Sequence, residues 1–133
     1  MTTRAVWPLQ NGRPKIEVVL VTRSGTQPRT FDLLADTGGG TNRARFELVL
    51  DESDCLIYGR RSTHSVQLGG AFSGTFSIYL VRAQIPQLQF DHRIRAVGVP
   101  SVTAGFSGIA SFRFLNRFNF GNFSDPRQFG IEM

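Results

Sequence analysis

The stretch Phe31-Asp32-Leu33-Leu34-Ala35-Asp36-Thr37-Gly38-Gly39-Gly40 runs from an apolar segment straight into a glycine-rich turn, with one carboxylate at the junction. Leu33, Leu34 and Ala35 have the character of a buried strand end. An Asp placed there gives up part of its hydration, so its charged form needs hydrogen-bond donors around it. Thr37 and the amides of Gly38, Gly39 and Gly40 are the donors at hand, and the glycines also let a second backbone or a ligand approach closely. The plain alternative is a turn that Asp36 merely opens, since Asp and Gly are common turn formers. Three letters do not decide between the two, so the surrounding chain has to.

Upstream, Lys15-Ile16-Glu17-Val18-Val19-Leu20-Val21-Thr22 is rich in β-branched residues and alternates as a half-buried strand does. Ser24-Gly25-Thr26-Gln27-Pro28 supplies turn chemistry, and residues 30–35 return as a second strand, which makes a hairpin leading into Asp36. Residues 1–14, broken by Pro8 and Pro14, read as an arm or an edge strand. Downstream, Phe46-Glu47-Leu48-Val49-Leu50 reads as a strand with Phe46, Leu48 and Leu50 on one face. Asp51-Glu52-Ser53-Asp54 reads as an acidic turn, lacking the spaced acceptors of a calcium loop, and Leu56-Ile57-Tyr58 as a short strand. Residues 66–68 and 75–81 read as strands flanking a glycine-rich tip at Gly69-Gly70. Ile85-Pro86-Gln87-Leu88 interrupts the pattern, which resumes over 94–99. One helix is expected late, over 109–118, where Ile109, Phe112, Leu115 and Phe118 recur at helical spacing, with Gly121 and Asn122 to stop it.

A chain of 133 residues holds one core and not two ordinary domains, so 1–133 is taken as a single domain. The net charge is +5, and 14 of the 15 basic residues are Arg, scattered along the chain without forming a block. A solvated surface of mixed sign is the reading this favours. The Arg-and-Phe mixture over 112–123 suggests base stacking only weakly, and no nucleic-acid partner is expected. Cys55 is the sole cysteine, which excludes an intrachain disulfide and fits a reducing compartment; in the run Cys55-Leu56-Ile57-Tyr58 it reads as a small core residue. There is no signal-peptide core and no stretch of membrane-span length, so a soluble, cytoplasmic protein is expected. His64, His92 and Cys55 are too far apart in sequence to suggest a metal site, and neither metal nor cofactor is expected. Gly105-Phe106-Ser107-Gly108-Ile109 lacks the final glycine of a nucleophile elbow.

Leu-Leu-Ala-Asp-Thr-Gly, placed after a hairpin and before a polar turn, resembles the active-site loop of the retropepsin-like aspartic proteases. The order of the remaining signals is similar to that family as well. A glycine-tipped hairpin around Leu68, Gly69 and Gly70 stands where the family has its flap. Phe106-Ser107-Gly108, followed by the Phe-Leu-x-Arg-Phe run of 114–118, stands where it has an apolar-apolar-Gly segment and a short helix. The resemblance implies a mainly β fold, a small closed β-barrel with one short C-terminal helix. It implies Asp36 as the catalytic carboxylate, Thr37, Gly38 and Gly39 as the active-site loop, and Leu68, Gly69 and Gly70 as flap residues that contact substrate. A single Asp-Thr-Gly per chain further implies a homodimer that cuts peptide or protein substrates in extended form. Two features depart from the family pattern. Gly39-Gly40 follow where members commonly carry Ala or Ser, implying a looser loop, and Ser107 replaces an apolar residue before Gly108, altering the packing beneath it. These departures motivate a second reading, a catalytically idle domain of the same fold that binds peptides or dimerises.

Overall fold

The computed structural model describes residues 3–22, 24–102 and 105–133. Among them the chain forms strands β1 (Arg4–Pro8), β2 (Lys15–Val21), β3 (Pro28–Ala35) and β4 (Leu48–Asp51), helix α1 (Glu52–Tyr58), then β5 (Gly59–Leu68), β6 (Gly74–Ile85), β7 (Phe90–Val99) and β8 (Gly108–Ala110). Helix α2 (Phe112–Leu115) and strands β9 (Asn119–Gly121) and β10 (Gln128–Glu132) complete it, with single 3₁₀ turns at Gly70–Phe72 and Pro86–Leu88. The protein is mainly β, as expected.

Six strands close on themselves in the order β2-β3-β8-β4-β7-β6, and the ring is sealed where Val19, Leu20 and Val21 of β2 face Gln84, Ala83 and Arg82 of β6. β5 hangs outside this ring as the far arm of a hairpin with β6. The β2–β3 hairpin forms in the expected place, with Lys15 opposite Leu34 and Val21 opposite Pro28. Its alternation fills the barrel: Ile16, Val18 and Leu20 of β2 and Phe31 and Leu33 of β3 are fully buried. β8 lies between β3 and β4, parallel to the first and antiparallel to the second, although β3 and β4 follow one another in sequence. Phe114 and Leu115 of α2 enter the same core, where the Phe114 ring meets Phe90 edge-on at 5.8 Å and Phe118 at 5.5 Å.

Three local expectations are corrected. Residues 51–58 are not a turn and a strand: Asp51 ends β4 and Glu52–Tyr58 is helical. Glu52 and Asp54 lie in its first turn, where carboxylates oppose the positive end of the helix dipole. Only Cys55 is buried there, while Leu56 and Ile57 are 63% and 54% exposed, so the apolar run is not a core strand. The late helix is only Phe112–Leu115, because the backbone of Ile109 and Ala110 is taken up by pairing with β3 and β4. The strand expected over 46–50 starts at Leu48, and Phe46 packs on the side of Val49, away from the core that holds Leu48 and Leu50. Of the two readings of 1–14, the edge strand holds, since β1 is the outer strand of a three-stranded sheet. β1 pairs with β10 from Arg4–Glu132 to Pro8–Gln128, β10 pairs with β9, and Ala5, Trp7, Phe129 and Ile131 join the main core. No helix among the described residues is long and apolar enough to cross a membrane.

Candidate active site

Asp36 follows Ala35, the last residue of β3, and its backbone is fixed from two sides. Leu34 and Ala35 run in parallel register with Ile109 and Ala110, and the Asp36 amide continues the ladder by donating to the Ala110 carbonyl at 3.0 Å. On the other side the Ala35 amide donates to the Pro14 carbonyl at 3.0 Å. The loop then closes on itself, with the Gly39 amide donating to the Asp36 carbonyl at 3.0 Å. The Gly39 carbonyl in turn accepts from the amide of Phe112, the first residue of α2, at 2.9 Å. Asp36 through Gly39 are therefore clamped between the end of β8 and the start of α2.

The carboxylate lies against Gly39. A Cβ at that position would sit 2.6 Å from Oδ2 and 2.9 Å from Cγ of Asp36, whereas one at Gly38 would be 3.8 Å from Oδ1. Gly39 thus leaves the space that the acid occupies, and any side chain there would force it to turn. Asp36 is half-buried, and Thr37 and Gly38 are exposed. The expectation that Thr37 and the glycine amides donate to the carboxylate is not met: among the described residues no hydrogen bond reaches it, and the Gly39 amide serves the Asp36 backbone carbonyl instead. Partial exposure leaves the carboxylate with access to solvent, so its charge does not require those donors.

The glycine-tipped hairpin expected around Gly69 and Gly70 forms. β5 and β6 pair up to Leu68 opposite Gly74, and the tip is the 3₁₀ turn, with Gly69 and Gly70 exposed and Gly70 at a φ of +71°. Val66, Leu68, Phe72 and Phe76 of this hairpin are partly buried against Leu34, Val49, Val97 and Ile109. Because successive strand residues face opposite sides, Leu34 and Ile109 lie on the outer face of the barrel, while Leu33 and Ala110 fill its interior. This hairpin therefore lies over an apolar outer surface that includes Leu34, the residue two before Asp36.

Support beneath the loop differs from expectation. The segment running into the helix is Ile109-Ala110 with Ser111 at the N-cap, not Phe106-Ser107-Gly108. Ser111 is 2% exposed; its amide donates to the Glu47 carbonyl at 2.9 Å, and among the described residues its hydroxyl has no partner. Glu47, also buried, is gripped by Arg117 through two contacts, one of 2.9 Å between Nη2 and Oε2. That hydrogen bond holds the Arg117 guanidinium above its ordinary pKa. The sequence offered one faint sign of this pair, an acid set into the apolar run 46–50.

Other potential centres are dispersed. Cys55 is buried, and burial together with Asp54, Glu52 and Asp51 pushes its thiol up to about 12, so it stays protonated and unreactive in the folded chain. His64 lies exposed on β5, and His92 stacks near Phe90 on β7. Among the described residues no group of three or more His, Cys, Asp or Glu is placed to hold a metal ion. No protein-family model matches the chain, and neither does any curated protein.

Proposed function

We propose that the chain is one half of a homodimeric aspartic endopeptidase of the retropepsin type. The observation that carries this reading is Asp36: a half-exposed carboxylate on a backbone-locked turn, packed against a glycine, beside an apolar face covered by a glycine-tipped hairpin. A second copy related by a two-fold axis supplies the other Asp36. Two such carboxylates held face to face share one proton, since ionising both at short range is costly. The ionised member takes a proton from water as the water oxygen bonds to the peptide carbonyl carbon. The protonated member donates to the developing oxyanion. Collapse of that intermediate breaks the C–N bond, and the leaving amine departs with a proton from the pair. An extended substrate packs its side chains alternately on the flap and on the barrel's outer face, and the closed hairpin excludes water.

A peptide-cleavage assay at acidic pH, with wild type and Asp36→Asn, tests this. We expect Asp36→Asn to keep its fold and lose at least about 10³-fold in rate. Cleavage that survives the substitution removes Asp36 from the chemistry. A wild-type protein that pairs and binds peptide but never cuts it favours the idle peptide-binding or dimerisation domain.

A further inference from the structure

We infer that the outer side of the β5–β6–β7 sheet is a docking groove for an acidic, extended protein segment, separate from Asp36. Three hollows of about 350, 260 and 300 Å³ lie along it, the first two sharing Leu80 and Arg93, the last two sharing Arg45 and Arg95. None of the three is lined by Asp36.

Strand register builds the groove. Arg60 of β5 faces Leu80 of β6, and Leu80 faces Arg95 of β7, so the three stand side by side across the sheet, with Arg93 one step along opposite Arg82. Two guanidiniums are already neutralised: Arg82 forks onto Asp91 at 2.9 and 2.7 Å, and Arg117 holds Glu47. Among the described residues, no carboxylate lies within 4.0 Å of Arg45, Arg60, Arg93 or Arg95. Four unpaired cations gathered on one concave face repel one another, and a hollow concentrates their field on an incoming anion.

The occupant follows from spacing and chemistry. Arg93 and Arg95 are two residues apart on one strand face, about 7 Å, which is also the separation of alternate side chains in an extended peptide. Leu80, 40% exposed, offers an apolar contact between Arg60 and Arg95. Single-stranded nucleic acid needs aromatic rings for its bases. Here Tyr58, which lines one hollow, is turned edge-on to Phe31 at 5.3 Å, and the other ring side chain is His64 at the far end.

The test uses the full chain carrying Asp36→Asn, so that the probe is not cut and the result does not depend on the catalytic reading. A fluorescent octapeptide alternating Glu and Leu, and a single-stranded oligonucleotide of equal charge, are titrated at low and high salt. We expect the peptide to bind more tightly than the oligonucleotide, and to weaken with salt. We expect Arg93→Gln/Arg95→Gln, and separately Arg45→Gln, to weaken the peptide, the double variant by about tenfold. Unchanged peptide affinity in all folded variants overturns the inference, as does tighter binding of the oligonucleotide.

Discussion

At the scale of single residues, Gly39 and the Asp36 carboxylate compete for one volume. The atom that a Gly39→Ala substitution adds would fall 2.6 Å from Oδ2, and the contacts with Cγ and Cβ, at 2.9 and 3.3 Å, mean that the whole acid must swing aside. In the cleavage assay we expect kcat to fall by about 10²-fold with little change in KM, because misplacing a reacting group by about 1 Å costs that much; an unaltered kcat would show that the direction of the acid is not set here. Cys55 supports a different prediction. An ordinary thiol ionises at about 9.0, and this one is pushed up to about 12. Between those values the unfolded chain releases the proton while the folded chain keeps it. The stabilisation is therefore complete below the lower value and is lost progressively as pH rises towards the upper one. Urea unfolding at several alkaline pH values should show wild type losing stability faster than Cys55→Ala, by up to about 1.4 kcal/mol per pH unit. Parallel slopes would contradict it. The sequence identified Asp36 and the burial of Cys55 from their neighbours, but the contact between Asp36 and Gly39 depends on a rotamer that no local pattern specifies.

At the scale of elements, the hairpin into Asp36 is legible because its alternation and its turn residues agree, and so is the glycine-tipped hairpin of β5 and β6. Residues 109–118 were harder: Ile109, Phe112, Leu115 and Phe118 have helical spacing, yet Ile109 faces the barrel's outer surface from a strand. Competition from two neighbouring strands for the backbone of 108–110 outweighed a periodicity that the apolar residues satisfied by chance. Gly108 records that competition. A Cβ there would be 2.8 Å from the Val49 carbonyl oxygen and 2.7 and 2.8 Å from methyl carbons of Leu50 and Leu33. Gly108→Ala should therefore destabilise the fold by about 2 kcal/mol, seen as a lower urea midpoint with an unchanged slope. A midpoint equal to wild type would mean that β8 is not wedged between β3 and β4. Helix α1 is hidden for the opposite reason: its apolar letters suggest a strand, while the acids that favour its first turn have the composition of a turn of their own.

At the scale of the whole molecule, the proposed chemistry needs two chains, and this gives a concentration dependence. Diluting the protein through its dimer dissociation constant should lower the rate per chain, with sedimentation equilibrium reporting the loss of the two-chain species over the same range. Activity per chain that stays constant in a population shown to be monomeric would sink the half-site reading. The arginines belong to this scale too. Along the chain Arg45, Arg60, Arg93 and Arg95 look unrelated, and only the order β5-β6-β7 with its register sets them together.

Local signals were enough for the class of fold, the hairpin and the placement of one acid at a strand end, because alternation, turn chemistry and glycine preference act over a few residues. The closure of the barrel, the insertion of β8 between β3 and β4, the pairing of β1 with β10 and the arginine-lined face emerge only once the chain is folded. Each of those pairs segments far apart in the chain, and such pairing is settled by which surfaces bury one another rather than by any local preference.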